Sequence, residues 1–127
     1  MKEPARYLNN AKEILSKSPI EDEYYVDDKY VKSACGVACL GVLRAIDEFL
    51  LERGVTKKEL PKKVEEYRKA LQKHALIHDG KLVRQFDDIY DELHIAGYYR
   101  GILHSVATVK AALKAAEGFI KKMEQWS

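Results

Sequence analysis

Four residues suited to chemistry fall within seven positions of the chain. Tyr98 and Tyr99 directly precede Arg100, and His104 follows four residues later. Tyrosine rings can stack on bases and arginine can hold a phosphate, as proteins that bind single-stranded RNA require. A histidine that moves a proton beside an arginine that stabilises phosphorane charge could also cleave RNA without a metal. In the alternative interpretation, the tyrosines close the end of a helical bundle, Arg100 is solvated and His104 lies in a loop.

These four residues therefore define the candidate site, with Arg100 and His104 as catalytic candidates and Tyr98 and Tyr99 as binding residues. His94 and Arg53 are further binding candidates. His94 lies between Leu93 and Ile95 in an apolar stretch. It is either a core histidine held by a hydrogen bond or a group that contacts a ligand or partner beside Tyr98.

Metal chemistry has two candidate motifs. His74 and His78 are four residues apart, a spacing that lets one helix face chelate a metal, and acidic residues could complete the site. The pair has no HExxH pattern around it, and solvated histidines are the alternative. Asp91 and His94 resemble half of a di-iron carboxylate motif, but the second copy that such bundles need is absent from the sequence. We expect no cofactor.

The two cysteines, Cys35 and Cys39, are also four residues apart in a helical pattern. Side chains on adjacent helical turns point roughly the same way, which does not favour disulfide geometry. We interpret them as buried, free thiols in a reducing compartment.

Composition limits the function classes further. The chain has 127 residues, enough for one domain, and its formal net charge is +2. A dedicated nucleic-acid-binding domain is usually strongly basic, so this balance allows only a local basic patch. No apolar stretch approaches the roughly 20 residues of a membrane span, and the first residues lack a signal-peptide pattern. We expect a cytoplasmic protein that does not bind membranes.

Apolar residues recur at helical spacing along the whole chain, which predicts an all-α, up-and-down bundle of about five helices over residues 1–127. The predicted helices begin near Pro4, Lys29, Thr56 and Leu82 and after Ser105. Thr56 with Glu59 is a capping-box pattern, although Pro61 could move this start by a few residues.

The second predicted helix is the most informative. It carries no charge from Ser33 to Leu43, as expected for a helix surrounded by others. One stripe of this helix consists of small residues only: Ala34, Ala38, Gly41 and Ala45. Small residues let a neighbouring helix approach closely, so we expect a close-packing contact here.

Short connections should make sequential helices antiparallel, which assigns every loop to one of two ends. Residues 18–28 and 77–81 would share an acidic end with His74 and His78. Residues 54–57 and 98–105 would share a basic end. The basic end would gather Arg53, Lys57, Lys58, Arg100 and His104.

The chain also resembles a small uncharacterised family of bacterial proteins, found mainly in Bacteroidetes. The resemblance spans residues 5–120 and is carried by three segments. These are YYVDDKYVK at 24–32, GVLRAID at 41–47 and YDELHIAGYYRG at 90–101. It implies no established activity.

More distantly, the helix order and the long apolar second helix resemble the HEPN superfamily of helical bundles. Many members are RNases or toxin-side partners of nucleotidyltransferases, and they act as dimers with an Arg-x4-6-His motif at the dimer cleft. Here only three residues separate Arg100 from His104.

Together, these patterns predict a non-enzymatic helical bundle that works as a homodimer or with a protein partner. The alternative is an RNA-binding or RNA-cleaving protein that uses the Tyr98–His104 end.

Overall fold

The computed structural model describes residues 3–75 and 79–126. The elements are α1 (Glu3–Leu15), β1 (Ile20–Glu21), β2 (Tyr24–Tyr25), α2 (Asp28–Glu52), α3 (Val64–His74), α4 (Leu82–Tyr90) and α5 (Val106–Gln125). A short 3₁₀ turn spans Lys57–Glu59, and a π-helical segment, Asp91–Tyr99, continues α4. The predicted all-α bundle is confirmed. Among the described residues, no helix combines the length and the apolar character needed to cross a bilayer.

The central helix α2 packs against α1, α5 and the π-helical segment. Its small-residue stripe is buried throughout: Ala34, Ala38, Gly41 and Ala45. A Cβ atom on Gly41 would lie 3.0 Å from the Tyr7 Cβ and 3.2 Å from the Pro4 carbonyl oxygen. The backbones of α1 and α2 therefore approach closely at Gly41, as the stripe predicted.

A second close contact joins α2 to the π-helical segment. A Cβ atom on Gly97 would lie 2.6 Å from the Cys35 Sγ and 2.8 Å from the Cys35 Cβ. One residue further along each element, a Cβ on Gly36 would lie 2.8 Å from the Tyr98 ring. At Gly97 a side chain would push the two elements apart, because the Cys35 Cβ is fixed to the backbone of α2; at Gly36 it would displace the Tyr98 ring.

The loops pair differently from the prediction. The Tyr25 N–H donates a 2.8 Å hydrogen bond to the His104 carbonyl, and the Val106 N–H donates to the Glu23 carbonyl at 3.0 Å. Residues 18–28 therefore share an end with residues 98–105. At the opposite end, Arg53 donates a 2.7 Å hydrogen bond to the Trp126 carbonyl, while Lys122 lies 2.8 Å from Asp79. The expected separation into an acidic end and a basic end is wrong.

The connection between α2 and α3 explains the difference. Thr56 and Glu59 form the expected capping box, but it holds only the 3₁₀ turn. Extended residues on both sides of Pro61 then carry the chain back along α2 before α3 begins at Val64. The Tyr67 hydroxyl donates a 2.9 Å hydrogen bond to Asp47, near the C-terminal end of α2. Helix α3 therefore runs in the same direction as α2, which moves its end, His74, away from residues 18–28.

The acidic segment forms a hairpin that the sequence pattern did not predict. Ile20 pairs with Tyr25 and Glu21 with Tyr24, and Tyr24 also bridges to Ser105. The turn residues Asp22 and Glu23 have φ values of 49° and 68°. A two-residue turn with positive φ at both positions usually contains Asn-Gly or Asp-Gly, so Asp-Glu gave no turn signal.

Replacing Gly97 with alanine tests the contact with Cys35. We expect Gly97→Ala to lower the free energy of unfolding by about 1–3 kcal/mol, because the new methyl group overlaps Cys35. Gly118→Ala is the matched control: Gly118 lies in α5, and nothing lies within 4 Å of the position that its new methyl group would take. The control should raise stability by about 0.5–1 kcal/mol. Urea titration followed by circular dichroism measures both; equal effects of the two substitutions would contradict the packing argument.

Both cysteines should be inert in the folded protein. Cys35 is 0% exposed and Cys39 is 3% exposed. Burial raises the pKa of Cys35 to about 11 and that of Cys39 to about 12, so almost no thiolate exists at pH 8. We expect Ellman's reagent to label them only as fast as the protein unfolds. Ser33→Cys, at an exposed position of the same helix, should react at once. Rapid labelling of the unchanged protein without denaturant would show that α2 is not enclosed.

Candidate functional site

A row of aromatic rings leads from the core to the surface along α4 and the π-helical segment. Phe86 and Tyr90 have ring centroids 6.1 Å apart, Tyr90 and His94 4.7 Å, and His94 and Tyr98 5.6 Å. Each ring follows the previous one by four residues. Side chains four residues apart are neighbours on a helix surface, which keeps successive rings of the row in contact.

His94 is half-buried in this row. Its ring stacks on Tyr90 with an interplanar angle of 18° and meets Tyr98 at 34°. Its side chain forms ring contacts, and no hydrogen bond from it to another described residue is present. Its position next to the half-exposed Tyr98 leaves it accessible from the surface.

Tyr98 and Tyr99 lie at the end of the π-helical segment with 50% and 75% of their surface exposed. Ile102 follows and is also half-exposed. Ile102 lines a shallow hollow together with Tyr24 of the hairpin and with His104. The hairpin and the segment after the π-helix therefore build one continuous surface.

Arg100 and His104 belong to the same surface. Arg100 is exposed, and its backbone N–H donates a 2.8 Å hydrogen bond to the Ile95 carbonyl, which closes the π-helical segment. The Nδ1 of His104 lies 3.3 Å from a carboxylate oxygen of Asp28. The acidic hairpin turn runs beside them, so this end carries charges of both signs.

Arg53 does not join the other candidate residues. Its guanidinium lies 4.1 Å from the centroid of the Phe49 ring and donates to the Trp126 carbonyl. It thereby ties the end of α2 to the end of α5, at the opposite end of the bundle from Tyr98.

The metal candidates are also separated from the acidic hairpin. His74 is half-buried at the end of α3 and lines a hollow with Leu50 and Val55. His78 lies outside the described residues. Within residues 3–75 and 79–126, no group of three potential ligands is arranged to hold a metal ion. The acidic residues of segment 18–28 that were expected to assist His74 lie at the other end of the bundle, and Asp79 pairs with Lys122.

Sequence reasoning missed a cleft between α1, the hairpin and α5. Its volume is about 590 Å³, and Leu15, Ile20 and Leu113 form its apolar lining. Lys110 and Lys114 lie along one side, four residues apart on α5. That spacing was visible in the sequence, but lysines four apart on a helix are usually only solvated, and the hairpin that completes the cleft gave no signal.

Comparison with known proteins gives a relationship without an assigned activity. A solved structure of a protein of unknown function from Dyadobacter fermentans is similar, with a TM-score of 0.79 and 35% sequence identity. The match covers 97% of this chain and 91% of that chain. No curated protein matches the sequence significantly. The model of a domain of unknown function, DUF5618, matches residues 1–125, and the chain therefore belongs to the DUF5618 family.

Proposed function

We propose that this protein is a non-enzymatic interaction module that pairs with a second copy of itself through its hairpin end. One observation carries the proposal. Of the eight large apolar side chains that are exposed within the described residues, seven lie at this end. We call them the hairpin-end surface: Ile20, Tyr24, Val26, Ile95, Tyr98, Tyr99 and Ile102.

Clustering of this kind is unusual on a surface that meets only water. Single exposed apolar residues are normal, whereas a group of them points to an interaction site. Three members are tyrosines, a residue type enriched at protein interfaces because its ring is apolar and its hydroxyl tolerates water.

The charges around this surface favour a second copy as the partner. The hairpin supplies carboxylates, including Glu21 and Glu23, while Lys29, Lys32 and Arg100 supply positive charge nearby. In a two-fold symmetric interface, each surface meets its own copy, so it must carry both signs to be complementary to itself. A surface that carried charges of only one sign would repel its copy.

Light scattering coupled to gel filtration tests this proposal. We expect the unchanged protein to elute with twice the chain mass. Tyr99→Glu combined with Ile102→Glu should weaken the dimer by at least about tenfold and give a monomer, because each interface would bury four new carboxylates.

The matched control is Gln72→Glu combined with Gln125→Glu, which adds the same charge at exposed positions of α3 and α5. It should remain dimeric. A monomeric unchanged protein at high concentration, or a Tyr99/Ile102 double variant that stays dimeric, would overturn the proposal.

RNA binding at the same end has less support. The Asp28 carboxylate beside His104 and the acidic hairpin would repel a phosphate backbone. We expect no change in the fluorescence anisotropy of a labelled single-stranded RNA at physiological salt, and no cleavage. Binding or cleavage by the unchanged protein that Arg100→Ala or His104→Ala abolishes would instead establish the nucleic-acid function.

A further inference from the structure

The cleft between α1, the hairpin and α5 has the dimensions of a small-molecule site. Its volume of about 590 Å³ falls within the range of about 300–1,000 Å³ that is common for ligand pockets. Leu15 and Leu113 are at least 95% buried and form its floor, whereas Ile20, at 54% exposed, stands at its rim. The apolar floor would accept a hydrocarbon or aromatic group.

Positive charge surrounds the mouth of this cleft. Lys110 and Lys114 are exposed on adjacent turns of α5, and neither forms an ion pair with another described residue. Lys12 lies across from them on α1, where it is 3.1 Å from Glu117. The cleft therefore has three ammonium groups and one carboxylate, Glu117, whose pKa is lowered by Lys12 and more weakly by Lys114. Positive charge is in excess at its mouth.

Tyr25 adds a hydrogen-bond donor of a different kind to the cleft. Tyr25 lines the cleft and is only 5% exposed. Its backbone N–H donates a hydrogen bond to the His104 carbonyl, which fixes the residue. Its hydroxyl forms no hydrogen bond with another described residue. Burial raises the pKa of Tyr25, so the hydroxyl stays protonated at neutral pH and can donate. Because no fully buried side-chain N or O atom among the described residues lacks a hydrogen-bond partner, the Tyr25 hydroxyl oxygen keeps some exposure, and it can donate to a ligand oxygen in the cleft.

We propose that this cleft binds a small amphiphilic carboxylate, a molecule with an apolar body and one negatively charged group. The apolar body lies on Leu15 and Leu113, and the carboxylate lies between Lys110 and Lys114. The Tyr25 hydroxyl donates a hydrogen bond to an oxygen of the ligand. This site borders the proposed self-association surface at Ile20, but its apolar floor, Leu15 and Leu113, belongs to α1 and α5.

Isothermal titration calorimetry with decanoate, below its micelle concentration, tests the site. We expect one decanoate per chain, and decyltrimethylammonium, of the same chain length but opposite charge, should bind at least about tenfold more weakly. Tyr25→Phe removes only the hydroxyl and should weaken decanoate binding by about two- to tenfold.

Charge reversal gives the sharpest comparison. Lys110→Glu combined with Lys114→Glu should invert the preference, so that decyltrimethylammonium binds more tightly than decanoate. The control, Lys57→Glu with Lys58→Glu, makes the same change in net charge at exposed positions of the opposite end and should keep the original preference. Circular dichroism verifies that each variant is folded.

Three results would overturn the proposal: no decanoate binding by the unchanged protein, equal binding of the two amphiphiles, or equal effects of the two charge reversals. Because the titration counts ligands per chain, it gives the same answer for a monomer and a dimer. Failure of self-association would therefore leave this test intact, and failure of ligand binding would not affect the light-scattering result.

Discussion

The contact between Gly97 and Cys35 positions the end of the molecule that we propose to be functional. At this point the π-helical segment lies so close to α2 that even a methyl group on Gly97 would overlap the cysteine side chain. The same approach seats the Tyr98 ring on Gly36. From there the chain turns back through Gly101, which has a φ of 63°, and pairs with the hairpin through His104 and Val106. The exposed aromatic surface thus depends on a contact between two buried residues.

Combining the hairpin with this segment changes the electrostatics of the site. Viewed as separate loops, residues 20–28 are acidic and residues 98–104 are basic and aromatic. Brought together, they form an apolar surface with carboxylates and cations around it, and His104 lies beside Asp28. Such a surface is better matched to another protein surface than to a polyanion, because a phosphate backbone needs one dominant positive field.

Much of the helical framework could be predicted from the sequence, because apolar periodicity and caps are local. The Ser105 cap of α5 and the small-residue stripe on α2 were both found in this way. The direction of α3 could not be predicted, since it depends on how far the chain travels back after Thr56. The π-helical segment and the hairpin turn also gave no signal: residues 91–99 have ordinary helical composition, and Asp22-Glu23 lacks glycine. Four of the candidate residues lie together: Tyr98, Tyr99, Arg100 and His104. Arg53 lies at the other end of the bundle, since the predicted pairing of residues 54–57 with residues 98–105 was wrong.

Hydrogen exchange followed by mass spectrometry tests the link between the Gly97 contact and the surface most directly. The unchanged protein and Gly97→Ala would be compared under conditions where both are folded. If the contact positions this end, the substitution should speed exchange of the Tyr25 and Val106 amides, which bond across the hairpin and the segment after the π-helix. Amides in the C-terminal half of α5, far from Gly97, should exchange faster only to the extent that global stability is lost. Unchanged protection at Tyr25 and Val106, in a variant that is nevertheless destabilised, would contradict the account.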